Sequence, residues 1–137
     1  MEIANNLNRK KLSKRIALIS IAIFLLDFIA ARFYWYVSIW WFDMFMHFLG
    51  GFWIGLLIFW IFYTKFSFTR NILKVFLLIF IIGFAWEFFE VVFNNYIAGN
   101  TFNLLDTLSD LLFDLAGGGF SIIYFLKRIM IKKNIEI

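Results

Sequence analysis

Four long runs of apolar residues, each interrupted by a few polar residues at helical spacing, set the pattern of this chain. They cover roughly residues 16–36, 38–63, 72–97 and 103–126. Each run is about 20–26 residues long, and about 20 residues at 1.5 Å per residue cross a hydrocarbon core roughly 30 Å thick. The pattern predicts an all-α fold: an integral membrane bundle of four transmembrane helices, up-down and antiparallel, in a single membrane domain covering 1–137. Short connections should make sequential helices neighbours. The first run, preceded by Arg9, Lys10, Lys11, Lys14 and Arg15, also has features of a signal peptide. Asp27 interrupts it and no convincing small-x-small cleavage site follows, so it reads as a helix that is retained.

The polar positions within the runs form stripes. Asp43 and His47 are spaced i,i+4 in the second run, and Glu87, Glu90 and Asn94 are i,i+3,i+7 in the third. Asp106, Asp110 and Asp114 are i,i+4,i+8 in the fourth. Such spacings put each set on one helix face. A charge costs roughly 2.5–3.5 kcal/mol at the centre of a membrane helix, so a charged stripe must face the bundle interior.

Composition strengthens the membrane reading. The chain is 64% hydrophobic, well above a soluble average of about 45–50%. It has no cysteine, which excludes disulfides and thiolate metal sites, and no proline, so any kink must come from glycine or polar packing. The net charge of +4 does not point to nucleic acid, because the basic residues flank the apolar runs. They precede the first run, recur at Lys65, Arg70 and Lys74, and follow the fourth at Lys127, Arg128, Lys132 and Lys133. By the positive-inside rule both termini are cytoplasmic, in a multi-pass protein of the cytoplasmic (inner) membrane. Trp35, Tyr36, Trp40, Trp41 and Tyr96 would form the outer aromatic belt, and Trp60, Tyr63 and Tyr124 the inner one.

This topology gives the polar stripes a common depth. The acids and His47 fall roughly 5–18 Å below the outer boundary at 1.5 Å per residue. Depth and facing together predict one outward-opening acidic pocket. Carboxylates one turn apart, at about 6 Å and an effective dielectric near 20, repel by roughly 3 kcal/mol per pair. They must therefore be protonated and share protons, be hydrated, or be neutralised by a bound cation. Carboxylates with one imidazole suit Mg²⁺, Mn²⁺, Ca²⁺ or Zn²⁺. The expected ligand set is Asp43, His47, Glu87, Glu90, Asp110 and Asp114, with Asp106 at the mouth. Asp27 has only Ala30 and Ala31 on its own face. It either joins the pocket or bonds a neighbouring helix as a protonated carboxyl. Arg32 is expected to snorkel to the outer interface. His47 is open to two readings, a buried hydrogen-bonded histidine or a ligand or base. Gly51 and Gly55, and the run Gly117–Gly119, are expected to let helices approach closely.

The motif order has a resemblance. Asp43-x-x-x-His47 with Gly50-Gly51, then Gly83-x-x-x-Glu87-x-x-Glu90, then Asp106-x-x-x-Asp110-x-x-x-Asp114-x-x-Gly117 resemble the VanZ-like family and, more closely, the YjdF-like small inner-membrane proteins. The resemblance spans about residues 39–120. VanZ-like proteins tend to carry Gln and Asn where this chain has Glu90 and Asp114. The resemblance implies a polytopic membrane protein of the cell envelope. VanZ itself is associated with lowered susceptibility to a glycopeptide antibiotic.

Three functions fit these residues. One is a membrane protein whose outer pocket binds a divalent cation together with a lipid or cell-wall precursor headgroup. Another is a metal-dependent hydrolase of an envelope lipid, with Glu87 or Glu90 as general base and His47 as ligand or acid. The last is a proton- or cation-coupled transport component, alone or completed by an oligomer.

Overall fold

The computed structural model describes residues 2–62, 68–93, 96 and 102–127. Tyr63, Lys65, Asn94, Ala98, Arg128, Lys132 and Lys133 lie outside the described residues. Among those described there is no strand, and the elements are α1 (Glu2–Arg32), α2 (Trp35–Ser38), α3 (Phe42–Ile61), α4 (Phe68–Phe93) and α5 (Leu104–Phe125).

The first apolar run ends earlier than its hydropathy suggests. The chain must reverse between α1 and α3 without glycine or proline. Tyr34 makes the bend by taking a left-handed conformation, φ 57°. Its carbonyl then accepts the N–H groups of Val37 and Ser38 at 3.1 and 2.9 Å, closing the single turn of α2. Residues up to 36 therefore do not extend the first helix, and the next begins at Phe42 rather than 38.

Among the described residues three stretches are long and apolar enough to cross a membrane: Phe42–Ile61, Ile72–Phe93 and Leu104–Phe125. α1 is not among them. Its stretch Ile16–Ala31, bounded by Arg15 and Arg32, is roughly 24 Å long at 1.5 Å per residue and contains Asp27. Large side chains such as Phe24, Phe28, Leu73, Leu77, Phe88 and Leu112 are exposed along the helices, a surface suited to lipid and not to water.

The tightest pairing joins α3 and α5, which are not consecutive, whereas α3 and α4 touch much less. Glycine explains it. A Cβ on Gly51 would run into the carbonyl of Asp114, one on Gly55 into Ser121 Oγ, and one on Gly117 into the carbonyl of Phe48. Only hydrogen at these positions lets the two backbones meet, the role expected of small residues. The contacts ascend together along both helices, ending with the Phe59 and Phe125 rings stacked at 4.4 Å, so α3 and α5 run parallel. α4 runs against them, with Gly83 beside Asp114, Ile79 beside Gly118 and Phe76 beside Gly119. α1 is antiparallel to α3: Trp53 Nε1 donates to Ser20 Oγ at 2.7 Å, and Arg9 lies 4.8 Å over the Trp60 ring. The apolar core, built on Leu12, Ile16, Leu56, Phe59, Val75, Ile79, Ile122 and Phe125, fills the end of the bundle near the chain N-terminus. The charged stripes occupy the other end.

Candidate functional site

The helix directions decide which charges meet. Asp43 lies in the first turn of α3 and Asp106 in the first turn of α5. Because α4 is antiparallel, Glu87 and Glu90, near its C-terminal end, arrive at the same level. The N-terminal turns of α3 and α5 carry partial positive charge, which favours Asp43 and Asp106 there. Asn103 caps α5, its side chain accepting Leu105 N–H at 3.2 Å.

His47 is the centre of the cluster. It is 7% exposed, Glu87 4%, Asp110 4% and Asp114 5%, so four ionisable side chains lie inside the helix packing. The imidazole meets carboxylates on both sides. Its Nε2 is 3.6 Å from Glu87 Oε1 and 3.9 Å from Asp43 Oδ1. Its Nδ1 is 3.5 Å from Asp114 Oδ2. Donor atoms of Asp43, His47 and Asp110 lie within 4.8 Å of one another, and so do those of His47, Glu87 and Glu90. Each group is close enough to hold a metal ion. Among the described residues Glu87 Oε1 is fully buried and has no hydrogen-bond partner. Asp110 Oδ1 lies 3.4 Å from Ser109 Oγ, whose hydroxyl donates to the Asp106 carbonyl at 2.7 Å.

The six residues expected as ligands, Asp43, His47, Glu87, Glu90, Asp110 and Asp114, are thus brought together from three helices. Asp106 is exposed at the rim. Arg32 is exposed at the last turn of α1. Asn94 lies outside the described residues. Asp27 is exposed and takes a partner that spacing along α1 could not show: Tyr36 Oη donates to its Oδ1 at 2.7 Å from α2. Burial first, then that hydrogen bond, push the Tyr36 phenol above its usual pKa, with Asp43 and Glu90 adding to the effect. Tyr36, read from sequence as belt, therefore joins Asp27 beside the cluster. Gly83 was visible only as a motif position. In three dimensions its missing side chain makes room for the Asp114 carboxylate, whose Oδ2 would stand 2.6 Å from a Cβ there.

No curated protein and no solved structure shows significant similarity to the chain. A family model matches residues 2–130, and the chain accordingly belongs to the family described as predicted membrane protein (DUF2238).

Proposed function

We propose that this membrane protein binds a divalent cation at His47, in an intramembrane pocket open to the outer face of the cytoplasmic membrane. In this reading α1 is a fourth span, both termini are cytoplasmic, and a lipid or cell-wall precursor headgroup meets the cation at the rim. The resemblance to VanZ-like and YjdF-like envelope proteins agrees with that setting.

One observation carries the reading: the Oε1 of Glu87, buried and without a hydrogen-bond donor among the described residues, beside Nε2 of a buried imidazole. A buried carboxylate oxygen with no donor is costly, and a charge more so. A cation supplies the missing partner to several oxygens at once. One imidazole among carboxylates suits Mn²⁺ or Zn²⁺ better than the all-oxygen preference of Ca²⁺ and Mg²⁺. The side chain of Asp43, 33% exposed, and the exposed Asp106 leave the rim polar and accessible, where an anionic headgroup could complete the coordination.

The test is thermal unfolding of detergent-purified protein with and without added Mn²⁺ or Zn²⁺. A ligand bound only by the native state at 100 times its Kd stabilises by about 2.7 kcal/mol. The reading expects a rise in Tm that chelator reverses and that Glu87→Gln and Asp110→Asn abolish. Equal behaviour of wild type and both variants would refute it.

A further inference from the structure

Asp114 stands apart from the other carboxylates. Among the described residues it belongs to neither group of converging donors, although its 3.5 Å approach to the imidazole is shorter than those of Glu87 and Asp43. It faces Nδ1, whereas Asp43 and Glu87 face Nε2. Its placement is also closely constrained by glycines. The Asp114 backbone carbonyl packs on Gly51, and its carboxylate lies in a slot between Gly50 and Gly83. A Cβ would stand 3.9 Å from Oδ1 at Gly50 and 2.6 Å from Oδ2 at Gly83. Two helices thus omit side chains where this carboxylate must reach the ring.

We infer that Asp114 is a positioning residue and not a ligand: it accepts the Nδ1–H of His47, so that the Nε2 lone pair points at the cation held with Glu87 and Glu90. The inference rests on the cation reading above and divides that site into ligands and support. A neutral imidazole has one donor and one acceptor nitrogen, and the bond made by one fixes the role of the other. A carboxylate on the far nitrogen also makes the ligating nitrogen more basic, and losing such a partner typically costs 10–100-fold in metal affinity. Gly83 then acts through Asp114, by leaving it space.

The chain has a single histidine, so one ¹⁵N-histidine label reports one ring. The experiment is the ¹⁵N NMR spectrum of the Zn²⁺-loaded, full-length protein in detergent, with Zn²⁺ titrations of wild type, Asp114→Asn, Gly83→Ala and Glu87→Gln. We expect Nδ1 protonated and Nε2 bound to zinc. Asp114→Asn should keep one zinc per chain at roughly 10–100-fold lower affinity. Gly83→Ala should show a fall in the same direction although no donor atom is removed, and Glu87→Gln a larger one. Zinc bound through Nδ1, wild-type affinity in Asp114→Asn, or loss there as complete as in Glu87→Gln would overturn this inference alone. A wild-type protein that takes up no zinc would overturn the cation reading and this inference with it. The wild-type spectrum decides the nitrogen even where a variant fails to fold.

Discussion

Around one imidazole the bundle gathers Asp43, Glu87, Glu90, Asp110 and Asp114, more negative charge than a single cationic histidine can balance. Neutralising one of them without changing its shape should therefore have opposite effects with and without metal. In metal-free protein Glu87→Gln relieves repulsion of roughly 3 kcal/mol per carboxylate pair. Its thermal stability should rise by about 1–3 kcal/mol after relaxation. With Mn²⁺ or Zn²⁺ present the order should reverse, because wild type gains the cation and the variant does not. Paired melting curves check this, and a variant less stable than wild type in both conditions would count against it. At this scale the sequence was informative about facing for the four residues that are buried. The i,i+4 and i,i+3 spacings put His47 and its acids on interior faces; His47, Glu87, Asp110 and Asp114 are buried, Asp43 and Glu90 partly so, and Asp106 of the same stripe is exposed. Spacing could not tell which nitrogen each acid faces, since that depends on where α4 and α5 cross α3. Nor could it find Tyr36 as the partner of Asp27, because the bend at Tyr34 has no glycine or proline to announce it.

The α3–α5 seam is where backbone contact, not side-chain volume, sets the geometry. Gly51→Ala puts a methyl group into the Asp114 carbonyl, and Gly117→Ala puts one into the Phe48 carbonyl. Neither backbone can swing aside as a side-chain tip would. Each substitution should cost about 1–3 kcal/mol or more by overpacking. Gly119→Ala is the contrast on the same helix. Its Cβ would meet only the Phe76 ring at an ordinary 3.6 Å, so it should be neutral or stabilising by up to about 1 kcal/mol from helix propensity. Denaturation of the three variants in one detergent ranks them, and equal losses at positions 117 and 119 would contradict the seam. The glycines were legible as packing residues, but their partner was not. Hydropathy and loop length favoured consecutive neighbours, while the small residues of α3 and α5 select a parallel pair with α4 against its side.

For the molecule as a whole, the parallel α3–α5 pair and the antiparallel α1 and α4 put the charged site at one end and the apolar core at the other. Among the described residues three helices are long and apolar enough to cross a membrane, and the family is one of predicted membrane proteins. The proposed topology adds α1 as a span, with Arg15 and Arg32 snorkelling at either end. The absence of native cysteine makes it directly testable. Ser38→Cys should react with an impermeant maleimide in intact cells, and Ser13→Cys only after permeabilisation. Labelling of both residues from outside would remove α1 from the membrane, and the reverse pattern would invert the protein.

The cation is the central claim, and metal content tests it most directly. Elemental analysis of detergent-purified protein, prepared without chelator beside Glu87→Gln and Asp110→Asn, should find close to one divalent transition metal per wild-type chain and little in either variant. Metal-free wild-type protein that also takes up none from a dilute Mn²⁺ or Zn²⁺ solution would contradict the account, leaving the carboxyls to share protons around His47.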